Sequence, residues 1–164
     1  MNFDSFLSDI IATVLGGVVL ALLFFLAKEK LFPLPALAGR WFFELETIET
    51  SYNPYKGMVL RYVAFLWCEG NKVEGTVEKI YEKSSTGERE YIGANRTRGT
   101  VSGHIEKNYL GTDRVYLHVV EDGHVRESTN FHELKSFLDD RMNGTFISMV
   151  ADQSGSVKWQ RTPL

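Results

Sequence analysis

The chain has a single cysteine, Cys68, so no internal disulfide can brace it, which agrees with a reducing compartment. It has no Lys or Arg before Lys28; all 18 of these residues lie from there onward. Between Ile10 and Ala27 it has no charge at all. It lacks a Walker phosphate loop, an HExxH metal helix and a G-x-S-x-G elbow. Its four histidines, His104, His118, His124 and His132, are scattered, and one cysteine cannot build a zinc cluster. Cys68 would need a base beside it to act as a nucleophile, and the sequence names none. No enzymatic activity, cofactor or metal is therefore expected. The net charge of −3 is mild, so a nucleic acid polymer is not an expected partner.

The first part of the chain does have the run IIATVLGGVVLALLFFLA, Ile10 to Ala27. As a helix rising about 1.5 Å per residue it is about 27 Å long, close to the thickness of a hydrocarbon core. A soluble core helix of that length would carry charges on one face. A cleaved signal peptide is the other alternative, and Ala36-Leu37-Ala38 resembles a cleavage site. Against it stand the acidic leader (Asp4, Asp9), the length of the run, and Lys28-Glu29-Lys30 between run and site. The run is read as a retained single-pass anchor over residues 1–30. The lysines at its C-terminal edge place the rest of the chain in the cytoplasm by the positive-inside bias. Two glycosylation-like triplets, Asn95-Arg96-Thr97 and Asn143-Gly144-Thr145, argue weakly the other way. Within the run Ala12, Gly16 and Leu20 share one face, and Thr13, Gly17 and Ala21 the adjacent one. Gly16 and Gly17 are thus where close helix packing is expected.

A linker over residues 31–38 contains Pro33 and Pro35, which stop the helix. From Gly39 the pattern changes to period two, rich in β-branched and aromatic residues. Strands are predicted over 40–47, 58–67, 72–82, 98–107, 114–121, 125–129, 142–151 and 157–161. Ser84 to Glu88 reads as a polar loop, and Ser154-Gly155 as the last turn. Asn130 with Glu133 resembles a capping box, and Leu134, Phe137 and Leu138 come next at helical spacing, which predicts one short helix there. Eight antiparallel strands joined by short turns manage their edges by closing, so residues 39–164 are predicted to form an all-β, up-and-down eight-stranded barrel. Its interior is filled by side chains or holds one small ligand. Gly75, Gly99 and Gly103, facing inward, either relieve curvature, the preferred reading, or leave room for a guest.

Arginines and aromatics recur within these strands. Arg61, Tyr62, Trp67, Arg96, Arg98, Tyr109 and Arg126 form a candidate ligand-binding set, because guanidinium forks match phosphate and aromatic faces stack on nucleobases. Strand aromatics otherwise belong to cores, and strand arginines to water-facing walls. Trp41 is read as the packed floor of the barrel.

Gly39-x-Trp41 on the first strand and Trp159-x-Arg161 on the last look like a lipocalin-type barrel closure. Together with the N-terminal membrane segment, the basic stop, Leu37-Ala38-Gly39-Arg40-Trp41 and Ser154-Gly155-Ser156-Val157-Lys158-Trp159-Gln160-Arg161, the chain resembles the transmembrane β-barrel effectors of bacterial CBASS anti-phage systems. The resemblance implies a barrel on the cytoplasmic side of the inner membrane that senses a cyclic dinucleotide. Binding would then drive homo-oligomerisation, disruption of the bilayer and death of the infected cell. The family is described with two membrane helices, whereas here one is found; 58–67 is too short and contains Arg61. Two other functions compete: a tethered barrel for an apolar ligand, and an interaction module, both without toxicity. Inward arginines would favour the sensor and a uniformly apolar interior the apolar-ligand barrel. A filled interior with an exposed apolar wall would favour the interaction module.

Overall fold

A computed structural model describes residues 3–31, 33–123, 127–136 and 140–164. It divides into two compact units, Met1–Leu34 and Pro35–Leu164. The first holds helix α1 (Phe3–Leu31), of which Leu7–Ala27 is long and apolar enough to cross a membrane.

The second unit is a closed barrel. Its strands are β1 (Gly39–Glu49), β2 (Val59–Glu69), β3 (Lys72–Ser84), β4 (Gly87–Glu90), β5 (Arg98–Glu106), β6 (Arg114–Asp122), β7 (Glu127–Ser136), β8 (Arg141–Ser148) and β9 (Gln153–Gln160). Each barrel strand pairs antiparallel with its chain neighbours. β1 pairs with β9 to close the ring, and β4 is appended outside it on β3. The eight strands of the ring are those predicted from period-two alternation, with shifted ends. In β1 the side chains of Trp41, Phe43, Leu45 and Thr47 are buried, as alternation requires of a wall with one face inward.

The inward glycines serve curvature. A Cβ on Gly75 would run into the Phe65 carbonyl, one on Gly99 into that of Val120, and one on Gly103 into that of Tyr116. Gly144 and Gly155 meet the carbonyls of Glu133 and Glu46 in the same way. At these points neighbouring backbones approach too closely for any side chain, so the wall bends sharply there.

Three expectations are corrected. No helix forms at Asn130: residues 127–136 are β7, with Asn130, His132 and Leu134 inward and Phe131, Glu133 and Lys135 outward. The capping-box match is local. Pairing with β6 over Glu127–Lys135 and with β8 over Asn130–Ser136 satisfies most of the backbone of this segment and prevails. Phe137 and Leu138 lie outside the described residues. Ser84 to Glu88 is a hairpin tip joining β3 to β4 rather than a plain loop. Ser154-Gly155 sits inside β9, opposite Ile147 and Phe146. The chain instead reverses at Met149–Asp152, where Ala151 and Asp152 adopt left-handed backbone (φ 55° and 46°).

Part of the expected linker belongs to the barrel. Leu37 is buried, its carbonyl accepts a 2.7 Å hydrogen bond from Trp41 Nε1, and the Ala36 carbonyl accepts one of 2.6 Å from Arg161.

Candidate ligand-binding groove

The barrel interior is filled, and it is polarised along its axis. At the end where the chain enters, Leu37 and Trp41 form the floor, and Val73, Ile105, Val115, Leu134 and Met142 pack there, all buried. Above them Phe43 is sandwiched between Tyr62 (4.6 Å) and Trp159 (4.1 Å), both nearly parallel to it. Trp159 meets Trp41 edge-on at 6.4 Å, and the Arg161 guanidinium lies 4.1 Å from the Trp41 ring centre. Such ring pairs add about 0.5–1.5 kcal/mol each beyond burial. The fold thus brings Trp41, Trp159 and Arg161 together at one end.

At the far end the inward side chains are polar. Thr47, Glu121, Asn130, Ser148 and Gln153 are buried there. Glu121, 5 % exposed, accepts a 2.8 Å hydrogen bond from the Tyr62 hydroxyl and an ion pair of 2.6 Å from Lys79. Lys79 also lies 3.8 Å from Glu82, which accepts a 3.0 Å hydrogen bond from the Tyr91 hydroxyl. Burial, and then the Glu121 charge, hold the Tyr62 hydroxyl well above its usual pKa. Burial and Glu82 raise that of Tyr91 in the same direction.

A bulge in β3 builds both this network and the surface outside it. Arg61 pairs with Tyr81 and Tyr62 with Lys79, which leaves Ile80 opposite no residue. The extra residue keeps Lys79 inward and turns Tyr81 outward, although the two are of the same parity. Outside, the walls of β1, β2 and β3 and the segment from β4 to Arg96 enclose a groove of about 520 Å³. Within the ordinary range for small-molecule sites, it is lined by Arg40, Arg61 and Arg96 together with Phe42, Tyr81 and Tyr91. Arg61 Nε donates to Glu44 at 2.8 Å, and its guanidinium lies 4.9 Å from the Tyr81 ring centre. Arg96 pairs with Glu78 at 3.0 Å. Arg40 lies 5.5 Å from the Phe42 ring, and no carboxylate pairs with it among the described residues. Three guanidinium groups can hold a phosphate, and the half-buried Tyr81 and Tyr91 rings can stack a base above the buried Phe42. The paired carboxylates would compete with that phosphate.

Of the candidate set, Arg61 and Arg96 share this groove. Arg98 is on the surface nearby, 3.6 Å from the same Glu78. Tyr62 is not available to a ligand outside the ring, since its side chain is spent in the core. Trp67 is on the outer wall but off the groove, bonded to Glu74 at 3.2 Å. Tyr109 sits in the β5–β6 loop at the entry end, and Arg126 lies outside the described residues. The sequence alone does not single out Arg40, Phe42, Tyr81 and Tyr91 as binding residues. Nothing in the alternation of β1 marks Arg40 and Phe42 as parts of a groove, and Tyr81 faces outward only because of the bulge. Cys68 is half-buried against the core, and burial raises its thiol pKa, which disfavours the reactive thiolate. A Cβ added to Gly16 or Gly17 of α1 would meet nothing within 4 Å.

His132 gives the core a pH dependence. Its Nδ1 accepts from Trp159 Nε1 at 3.3 Å, while Nε2 is buried with no hydrogen-bond partner among the described residues. Desolvation lowers its pKa from 6.5 to about 3. The unfolded chain therefore takes up a proton that the folded one refuses, so stability is lost as pH falls from the first value toward the second. The expected loss is about 1.4 kcal/mol per pH unit in that window. Denaturant titrations in mild acid and at neutral pH should show this loss in the wild type and a flatter response in His132→Leu; equal slopes would remove His132 as the cause.

No protein-family model matches the chain, and no curated protein does. Among solved structures, it is similar to a de novo designed fluorescence-activating β-barrel at 15 % identity and a TM-score of 0.52, over 79 % of this chain and 99 % of the other. It is also similar to a redesigned β-barrel bound to DFHBI, at 7 % identity and a TM-score of 0.53, over 77 % of this chain and 94 % of that one. At such identities the likeness is one of fold: the chain is a closed eight-stranded antiparallel barrel preceded by one apolar helix.

Proposed function

We propose that the chain is a membrane-anchored sensor whose barrel binds a small anionic nucleotide in the groove on the β1–β3 wall. The observation that carries this reading is the convergence of Arg40, Arg61 and Arg96 with Phe42, Tyr81 and Tyr91 on one groove of about 520 Å³. The ligand class most consistent with the resemblance to CBASS effectors is a cyclic dinucleotide, which offers two phosphates and two stacking bases. That a redesigned barrel of similar fold is described as bound to DFHBI supports a small-molecule guest. In this reading α1 crosses the bacterial inner membrane, and the lysines after its apolar run keep the barrel in the cytoplasm. Binding triggers homo-oligomerisation and membrane disruption, which ends the infected cell. Among the described candidates, Arg61, Arg96 and Arg98, no arginine faces inward, and their cationic surface is outside the ring.

Calorimetric titration of the full chain in detergent with a panel of cyclic dinucleotides tests the reading. One member should give saturable heat that weakens with added salt, as phosphate contacts on a partly exposed surface must. No saturable heat from any member removes the sensor function.

The anchor has its own test. Leucine at both Gly16 and Gly17 keeps the helix apolar but prevents close helix approach. The variant is expected to insert and to bind ligand, yet to lose toxicity and membrane depolarisation in cells at matched expression. Undiminished killing would leave the helix a passive tether.

A second reading, a tethered interaction module without toxicity, is favoured by the filled interior and by exposed Ile48, Phe131 and Ile147 on the outer walls of β1, β7 and β8. Such a module binds no nucleotide, so the same titration separates the two.

A further inference from the structure

The groove on the β1–β3 wall has one lining residue that belongs to none of its walls. Leu164, beyond the end of β9, contributes to it together with Arg40 and Phe42. The route of the chain to that point is held at each step. Arg161 donates to the Ala36 and Arg40 carbonyls, at 2.6 and 3.2 Å, and its guanidinium covers the Trp41 ring. Gln160 is an outward residue of β9 opposite Phe42 of β1. Its Nε2 donates to the carbonyls of Thr162 and Pro163 at 3.1 and 3.3 Å. These bonds turn the segment back over the outer wall instead of letting it run on from β9. Pro163 restrains its own φ and the conformation of the residue before it, so the return is stiff.

Phe42 carries a separate sign of a cover. It points outward from β1, yet it is only 9 % exposed, whereas Phe65 on the β2 wall of the same groove is 53 % exposed. A ring on the outer face of a barrel is shielded only by what lies over it, and Leu164 reaches the groove from the β9 side, where Phe42 stands. Leu164 itself is 42 % exposed and is no part of the core cluster. It can therefore leave the groove without disturbing the barrel.

We infer that residues 162–164 form a displaceable cover on the groove, and that a nucleotide binds by lifting Leu164 away from Arg40 and Phe42. This rests on the nucleotide reading of that groove. The chemistry favours the exchange. A leucine side chain matches only the apolar part of the site, and Arg40 has no side-chain carboxylate partner among the described residues. A nucleotide supplies a ring for the aromatic part and a phosphate for the guanidinium. A cover seated about nine-tenths of the time lowers apparent affinity about tenfold, which sets a threshold for the signal. The released segment is also a change on the outside of the barrel that leaves its packed interior as it was.

The test uses the full chain in detergent micelles, with p-benzoylphenylalanine in place of Leu164. It is irradiated with and without cyclic di-AMP, cyclic di-GMP or cyclic GMP-AMP, and adducts are mapped by mass spectrometry. Calorimetry with the same ligands is run on the wild type, on Leu164→Ser and on a chain lacking residues 162–164. Adducts in Arg40–Phe42 or Tyr81–Arg96 that vanish at saturating nucleotide are expected. Binding should be about five- to tenfold tighter in both variants. Absence of those adducts in the free chain overturns the cover. So do adducts that persist at saturation, or variants that bind no more tightly than the wild type. If no nucleotide binds any of the three forms, the reading of the groove falls and the gating with it, even where the adducts show the segment in place.

Discussion

Lys79→Met is expected to lower the unfolding free energy by about 3–5 kcal/mol, because it strands the Glu121 carboxylate inside the barrel. Glu121 is buried, and its charge is met by Lys79 at 2.6 Å and by the Tyr62 hydroxyl at 2.8 Å. Removing the ammonium leaves one hydrogen bond to stabilise a full charge in a poorly solvated place. The double variant Lys79→Met with Glu121→Gln should recover much of the loss, since neither residue then carries a charge and the amide can still accept from Tyr62. Denaturant unfolding of the wild type, the single variants and the double variant gives the coupling directly. Additive losses would mean that the pair is not the unit of stability that its geometry indicates. The same network reaches the outer groove, because Glu82 beside Lys79 is the acceptor of Tyr91. A loosened pair should therefore also weaken ligand binding at the groove.

If the groove binds a nucleotide as proposed, alanine at Arg61 or at Arg96 should lower the affinity ten- to hundredfold, from about 1.5–3 kcal/mol per charge-assisted contact to phosphate. Each arginine already has a carboxylate partner, Glu44 for Arg61 and Glu78 for Arg96. That competition orders the remaining variants. Glu78→Gln should tighten binding, because a phosphate then no longer displaces a charge from Arg96 and its neighbour Arg98. Arg98→Ala should have a smaller effect than either groove arginine, as its side chain is mostly solvated and outside the groove. Calorimetry on these four variants checks the order; wild-type affinity in both Arg61→Ala and Arg96→Ala would displace the site.

Much of the wall is legible in the sequence because alternation reports which way each side chain points. Trp41, Phe43 and Leu45 against Arg40, Glu44 and Glu46 is a period that only a half-buried strand produces. The apolar run of α1 is legible for the same reason in reverse, as it has no polar face at all. Features that depend on a neighbour escape. Residues 127–136 carry a local helix signal and become β7 only because β6 and β8 flank them. Lys79 and Glu121 read as ordinary polar strand residues, and nothing in either segment announces that the ring brings them together inside. Tyr81 requires the bulge at Ile80 to reach the outer face, and a one-residue slip of this kind reverses every later side chain. Tyr91 comes to the groove only through β4, in a stretch that reads as loop. Inward glycines are legible as a class, whereas Gly144 and Gly155 are hidden in segments whose ends the pattern misplaces.

The proposed nucleotide site in the outer groove is the central claim, and covalent mapping addresses it without relying on any substitution. A photoreactive azido-adenine cyclic dinucleotide is cross-linked to the full chain in membranes, and the modified peptides are identified by mass spectrometry, with unlabelled ligand as competitor. An outer-groove site predicts competable adducts within Tyr81 to Arg96 and at Arg40–Phe42, the two sides of the groove. Competable adducts confined to inward residues such as Asn130, Ser148 or Gln153 would contradict it and move the site into the polar half of the barrel interior.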